Sequence, residues 1–142
     1  MANNAAMSLL VVDDDDVAAE AVSRGLHKHG VDFPIVVAED GSVALQILRG
    51  EHPMRRIGKP HIVLLDLNMP RMSGIEFLHV LRSDSRLRST VVFVLTTSGS
   101  DADRARAYEQ CIAGYLVKSG LGPQLSGLAH FLTAYSTATL LP

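Results

Sequence analysis

The run Ile62-Val63-Leu64-Leu65 ends on Asp66, and this arrangement of a short apolar run before a polar residue recurs along the chain. Three further runs end on residues that suit phosphate chemistry: Leu9-Leu10-Val11-Val12 before Asp13-Asp14-Asp15-Asp16, Val91-Val92-Phe93-Val94-Leu95 before Thr96-Thr97-Ser98, and Tyr115-Leu116-Val117 before Lys118. Short apolar runs rich in β-branched residues are typical of strands buried on both faces, as in a parallel sheet. Ligands bind at the carboxyl edge of such a sheet, so we expect acids, a hydroxyl and an amine to meet there.

Segments with helical spacing separate these runs. After Asp16 the apolar and polar residues alternate every three or four positions until Gly30, with Asp15 or Asp16 as the N-cap. A further strand is predicted at 33–38, helices at 41–50, from 75 and at 101–111, and a final helix on the stripe Leu125, Leu128, Leu132 and Tyr135. This β-α order, repeated five times, predicts a flavodoxin-like doubly wound α/β fold with a parallel sheet in the order 2-1-3-4-5.

Length and composition indicate one globular domain. The chain has 142 residues, a formal net charge of −2 and one cysteine. We predict a loose tail at 1–7 and a single domain at 8–142, with no output domain. The charge favours neither nucleic acid nor an anionic membrane, and no run reaches the ~20 apolar residues of a membrane helix. Cys111 cannot form an internal disulfide, which favours a cytoplasmic protein, and we expect it to be a buried residue on a helix.

The polar strand ends suit phosphoryl transfer with a divalent cation. Clustered carboxylates repel one another unless a cation neutralises them, and Mg²⁺ prefers one or two carboxylates with water and phosphate oxygens. Asp13 or Asp14 can supply one carboxylate, Asp66 another, and the backbone carbonyl of Asn68 a third oxygen. One carboxylate can then act as a nucleophile towards phosphorus. Lys118 suits a phosphoryl oxygen as a compact cation, and a threonine hydroxyl can donate to another oxygen.

Four strings carry a resemblance to a known family: Leu10-Val11-Val12-Asp13-Asp14, Leu64-Leu65-Asp66-Leu67-Asn68-Met69-Pro70-Arg71-Met72-Ser73-Gly74, Val94-Leu95-Thr96-Thr97-Ser98 and Gly114-Tyr115-Leu116-Val117-Lys118. In this order they resemble the receiver domain of two-component response regulators, over about residues 9–132. The resemblance implies that Asp66 accepts a phosphoryl group from a histidine kinase with Mg²⁺ bound. The roles that it implies for the other residues are an acid pair (Asp13, Asp14), a switch hydroxyl (Thr96), a phosphate partner (Lys118) and an aromatic switch (Tyr115).

The chain also resembles the small stand-alone receivers that serve bacterial phytochrome-type kinases. This likeness lies in the long loop at 51–60, the string Leu95-Thr96-Thr97-Ser98 and the C-terminal Leu140-Leu141-Pro142. It implies a phytochrome-like kinase as partner and a possible homodimer through the fourth helix, fifth strand and fifth helix. One residue departs from the family, since Ser119 follows Lys118 where a proline with a cis bond is usual. The loop after Lys118 is therefore either strained or rebuilt with a trans bond.

The leading hypothesis is a phosphorylated switch that has no enzymatic activity beyond its own phosphorylation and dephosphorylation. Three other functions remain open from the sequence. An Mg²⁺-dependent phosphatase of the haloacid dehalogenase type needs a second aspartate two residues after its nucleophile, where this chain has Asn68. A receiver-like interaction module that no longer needs phosphate is compatible with Ser119. A flavin carrier of the same fold needs a Ser/Thr-rich loop where this chain has Asp13-Asp14-Asp15-Asp16, which would repel phosphate. The final apolar stripe faces either the sheet or a second subunit.

Overall fold

A computed structural model describes residues 7–97 and 99–142 of the chain. Its five parallel strands are β1 (Ser8–Val12), β2 (Ile35–Ala38), β3 (His61–Leu65), β4 (Val91–Thr96) and β5 (Gly114–Val117). The five α-helices are α1 (Asp16–Lys28), α2 (Gly41–Leu48), α3 (Gly74–Ser83), α4 (Asp101–Glu109) and α5 (Ser126–Ala138). The sheet order β2-β1-β3-β4-β5 confirms the predicted flavodoxin-like fold.

The sheet is buried on both faces because successive side chains of a strand point to opposite sides. On one face, Leu9 and Val11 of β1 pack in a cluster with buried residues of α1 and α5. On the other face, Leu10 and Val12 pack in a second cluster with residues of α2, α3 and α4. The continuous apolar runs of the sequence therefore describe strands that need both faces covered.

Capping residues set where the helices begin. The Asp15 side chain accepts hydrogen bonds from the backbone N–H groups of Val17 and Ala18, so Asp15 is the N-cap of α1. Ser73 and Glu76 form a capping box at the start of α3. Gly30, with φ +79°, follows the end of α1 as the sequence predicts. The side chains of Asp15 and Ser73 thus accept from backbone N–H groups that have no partner within the helix.

The structure corrects two expectations and decides a third. Met7 is buried in the cluster under α1 and α5, so it does not belong to a loose tail; the rest of that prediction, 1–6, lies outside the described residues. Cys111 is exposed with φ +60°, because α4 ends two residues earlier and the chain turns there. Leu128 and Leu132 are fully buried against the sheet, which places the final stripe on the sheet.

Two other features of the described residues bear on the predictions. In the tail after α5, Leu140 is fully exposed, whereas Leu141 packs on the cluster under α1 and α5. None of the helices in 7–97 and 99–142 has the length and hydrophobicity that crossing a bilayer demands.

Candidate functional site

Strand register brings the predicted site residues to one edge of the sheet. Val12 pairs with Leu65, so the residues that follow them, Asp13 and Asp66, lie side by side at the carboxyl ends of β1 and β3. The backbone N–H of Asp66 donates to the Val12 carbonyl at 3.0 Å, which holds the start of the β3–α3 loop against β1. The edge that the sequence indicates is therefore assembled by ordinary parallel pairing.

A depression of about 300 Å³ opens at this edge. The residues that line it come from three strand ends, the first turn of α1 and the β3–α3 loop: Asp13, Asp14, Asp15, Ala18, Asp66, Asn68, Thr97 and Lys118. Five of the predicted site residues are among them. The structure thus brings together acids and an amine that are more than 100 residues apart in sequence.

Three carboxylates form the centre of the depression. Asp13, Asp14 and Asp66 each offer an oxygen, and these oxygens all lie within 4.8 Å of one another. Asp13 is buried, Asp14 is exposed and Asp66 is half-buried. Like charges at this spacing repel one another, and a divalent cation between them would remove the repulsion. Because all the donors are hard oxygens, the set fits Mg²⁺ or a similar cation.

Burial sets the acidity of two of these groups. Loss of hydration raises the pKa of Asp13, against the lowering effects of the Asp15 N–H, which donates to its Oδ1 at 2.9 Å, and of Lys118. Burial likewise raises the pKa of Asp66, although the Asn68 N–H donates to Asp66 Oδ1 at 3.3 Å and favours the carboxylate. Their surroundings therefore disfavour the negative charge of both carboxylates. A cation bound between them would stabilise the charged form of each group.

Lys118 reaches the site although proline does not follow it. Its Nζ lies 3.8 Å from Asp13 Oδ2, and its side chain is 23% exposed. The cis peptide bond recorded among residues 7–97 and 99–142 is Lys59–Pro60, so Lys118–Ser119 is trans. Of the two possibilities for this loop, the chain adopts the rebuilt one. The lysine cation faces the carboxylates across the depression, where a phosphoryl oxygen would need it.

The two remaining predicted residues, Thr96 and Tyr115, do not line the depression. Thr96 ends β4 and is fully buried, and the exposed residue that follows it, Thr97, lines the depression instead. Tyr115 is half-buried in β5, opposite Val94, and packs on the cluster under α2, α3 and α4. Their assigned switching roles remain predictions. Ser98, the last residue of the predicted string Thr96-Thr97-Ser98, lies outside the described residues.

The sequence analysis missed three residues of the depression. Asp15 was assigned only as a helix cap, and it both caps α1 and lines the site. Ala18 follows it by three positions, a spacing that places two residues on the same side of a helix and that would have indicated its position. The sequence indicated Thr97 less clearly, because the residue at which β4 ends determines whether Thr96 or Thr97 faces outwards.

The geometry is matched by a known family. The sequence profile described as "Response regulator receiver domain" matches residues 9–127. The chain belongs to this family. As a receiver domain of two-component signalling, it takes part in phosphorelay with a histidine kinase as its partner, and its cluster of three aspartates has a donor set that suits a divalent metal ion. The match favours the receiver over the phosphatase and flavin alternatives, and it lends no support to a module independent of phosphate.

Individual relatives of this receiver include other response regulators. It is 31% identical to the response regulator Rcp1 of Synechocystis over 111 residues, covering 78% of this chain and 76% of Rcp1. The structure of Mn²⁺-bound Rcp1 matches with a TM-score of 0.80 and 27% identity over 96% of this chain and 99% of that one.

Two further solved structures match as well. The phosphorylated cyanobacterial phytochrome response regulator RcpA has a TM-score of 0.79 at 27% identity, covering 97% of this chain and 99% of that one. Response regulator RPA3017, from red light signalling of R. palustris, has a TM-score of 0.82 at 27% identity, covering 96% and 98%. This receiver therefore shares its whole fold with these response regulators.

Proposed function

We propose that Asp66 is the phosphoacceptor of this receiver. The observation that supports this most directly is the position of Asp66: it directly follows β3, is half-buried, and lines the depression together with Asp13, Asp14 and Lys118. One carboxylate oxygen of Asp66 attacks the phosphorus of a phosphohistidine in the kinase. The new O–P bond forms as the P–N bond breaks, and the electron pair leaves on the imidazole nitrogen, which is protonated to neutral histidine.

We propose Mg²⁺ as the cation of the site, held by Asp13, Asp14, Asp66 and the backbone carbonyl of Asn68. Bound there, it supplies positive charge that offsets the repulsion between a carboxylate nucleophile and a phosphoryl group. The clustered oxygens and the raised pKa values of Asp13 and Asp66 support this assignment. Asp13 has an additional part, because its Oδ2 faces Lys118 and its Oδ1 is held by the Asp15 N–H.

The remaining site residues would act on the phosphorylated state. Lys118 would bind a phosphoryl oxygen as a cation, and Thr96 would donate its hydroxyl hydrogen to another. Tyr115 lies on β5, which neighbours β4, and Thr96 pairs with Val117, two residues after Tyr115. Movement of Thr96 towards the phosphoryl group would therefore change the packing around Tyr115. This would convert a local charge change into a change of the surface near α4 and β5.

A phosphorylation assay with matched variants tests the assignment. The purified chain is incubated with acetyl phosphate and Mg²⁺, and the adduct is counted by intact mass. We expect one phosphoryl group on the wild type, none on Asp66→Asn, and wild-type labelling of Asp32→Asn, which alters an exposed aspartate outside the site. Omission of Mg²⁺ should abolish labelling. Labelling of Asp66→Asn at the wild-type level would refute the role of Asp66.

The partners follow from the relatives. Since RcpA is a phytochrome response regulator and RPA3017 takes part in red light signalling, we propose that this receiver is cytoplasmic and that its partner is a phytochrome-like histidine kinase. The protein would have no enzymatic activity beyond its own phosphorylation and dephosphorylation, and would bind neither nucleic acid nor membranes.

We also propose a homodimer through α4, β5 and α5. β5 lies at one edge of the sheet, and Tyr108 of α4 is 49% exposed close to it, which gives this face an apolar contact for a second copy. Analytical ultracentrifugation of the wild type and Tyr108→Glu, with and without acetyl phosphate, tests the dimer. We expect weaker association of the variant, and an unchanged association constant would contradict this interface.

A further inference from the structure

The connection between β5 and α5, residues 118–125, has an unusual backbone. Gln124 and Leu125 are consecutive residues with side chains, and both are left-handed, with φ of 53° and 59°. Gly122, with φ +79°, lies just before them. A left-handed conformation is disfavoured wherever a Cβ is present, and it persists only where the surrounding structure holds it. Neighbouring elements must therefore hold this segment, which begins at Lys118.

Backbone hydrogen bonds and two leucines attach the segment to its neighbours. The Leu121 N–H donates to the Lys118 carbonyl at 3.2 Å, and the Leu121 carbonyl accepts from the Gly127 N–H at 2.7 Å. These two bonds connect the Lys118 backbone to the first turn of α5. The side chains of Leu121 and Leu125 pack on the apolar cluster beneath α1 and α5. The segment is therefore bound at its middle and its end.

Two glycines allow it to lie this close to the helices. A Cβ on Gly25 of α1 would stand 2.5 Å from the Gln124 carbonyl oxygen. A Cβ on Gly127 of α5 would stand 2.8 Å from the Leu121 carbonyl oxygen. Real Cβ atoms essentially never approach backbone atoms closer than 3.0 Å, so any larger residue at either position displaces the segment. Gly120, within the same segment, has open space around it.

We propose that Gly25 and Gly127 are positioning residues for Lys118. No proline ring constrains the backbone after Lys118. The close contacts of Gly25 in α1 and Gly127 in α5 with residues 118–125, which together we call the clamp, hold this backbone in place instead. By holding residues 118–125 in a strained path, the two glycines keep the Lys118 Nζ facing Asp13 and the position of a phosphoryl group. The proposal rests on the proposed function of Asp66 and Lys118, and it makes the α1–α5 contact part of the phosphorylation machinery.

Three alanine variants test the clamp. Gly25→Ala and Gly127→Ala push the segment away from a helix, whereas Gly120→Ala adds the same methyl group to the segment without a clash. We expect the initial rate of Asp66 phosphorylation by acetyl phosphate with Mg²⁺ to fall about tenfold in the first two, as for a misplaced reacting group, and to stay at the wild-type value in the third. Equal rates in all three, with a labelled wild type, would overturn the proposal and leave the role of Asp66 intact.

A double-mutant comparison separates positioning from general damage. In a Lys118→Met background the lysine is already lost, so Gly25→Ala should slow phosphorylation no further. A further tenfold loss in that background would show that the glycine acts on the whole structure, and would overturn the proposal.

Two measurements cover the remaining outcomes. If Gly25→Ala does not fold, Gly127→Ala, whose added Cβ meets the Leu121 carbonyl oxygen instead, tests the clamp alone by the same rate measurement. If the wild type is not labelled, the proposed function fails, and the NMR signal of the Lys118 Cε group then tests the clamp directly. That signal should shift in Gly25→Ala and Gly127→Ala and stay in place in Gly120→Ala. An unmoved signal in the first two would overturn the clamp.

Discussion

Replacing Arg82 by methionine should lower the free energy of unfolding more than the removal of an exposed ion pair does. The guanidinium donates to the carbonyls of Gln110 (2.7 Å), Arg88 (2.8 Å), Thr90 (2.8 Å) and Cys111 (3.0 Å). It thereby ties the end of α3 to the α3–β4 loop and to the turn before β5.

The magnitude follows from those four hydrogen bonds. At about 1 kcal/mol each, they contribute about 4 kcal/mol, which falls to about 3 kcal/mol because some of the released carbonyls reach water. With an unfolding entropy of about 2.1 cal/mol/K per residue, that loss lowers the melting temperature by about 10 °C. Methionine keeps the apolar stem of Arg82, so the change reports mainly the hydrogen bonds.

Urea unfolding and thermal melting of purified variants measure this loss. The matched control is Arg104→Met, which removes an arginine paired on the surface of α4 with the exposed Asp101. An exposed pair of this kind contributes less than about 0.5 kcal/mol. If Arg82→Met and Arg104→Met unfold at the same midpoint, the four carbonyl contacts do not stabilise the fold, and the reasoning is refuted.

Three further predictions concern the metal, the pH and a helix cap. Mg²⁺ should raise the melting temperature of the wild type, with about 2.7 kcal/mol of stabilisation at 100 times its dissociation constant, and Asp13→Asn should abolish the shift in thermal melts; an equal shift would contradict the metal site. The backbone N–H of Arg86 and the Arg49 guanidinium lower the pKa of Asp84, so its contribution is present above the usual carboxyl pKa and is lost as the pH falls through the lowered value. Asp84→Asn should thus be less stable than the wild type at pH 7, and urea titrations should show this difference disappear in acid; a difference that persists there would disprove the linkage. Ser73→Ala should cost about 1 kcal/mol, measured by urea unfolding, because α3 loses its N-cap; Ser73→Asp should retain most of the stability, and equal losses in the two variants would argue against the cap.

Much of the fold is predictable because its signals are local. The apolar runs predict β1, β3, β4 and β5, and the helical spacing with its caps predicts α1 and α3, since each signal lies within a few neighbouring residues. Boundaries shift where local chemistry is ambiguous. The strand predicted at 33–38 begins at Ile35, and the helix predicted at 101–111 ends at Glu109. Cys111 then follows α4 as an exposed turn residue rather than lying buried on it.

The candidate site shows the same division. The order of the strands follows from the alternation of strands and helices, and it places Asp13 and Asp66 side by side. Which of two neighbouring threonines faces the depression depends on where β4 ends, and the structure selects Thr97 for the lining while Thr96 is buried. No local pattern could show that Asp15 serves the site as well as the helix.

Local patterns in the sequence are enough to predict the elements, the parallel sheet and the polar residues at the strand ends, because strand periodicity and helix caps act over a few residues. The assembled fold alone establishes how Lys118 reaches Asp13 with Ser119 behind it, that the final helix faces the sheet, and that Arg82 joins the α3–β4 loop to the turn before β5. Those outcomes depend on contacts between distant segments: Gly25 against Gln124, Gly127 against Leu121, and one guanidinium among four carbonyls. Long-range packing of this kind has no periodic signature, so it emerges only when the elements have assembled.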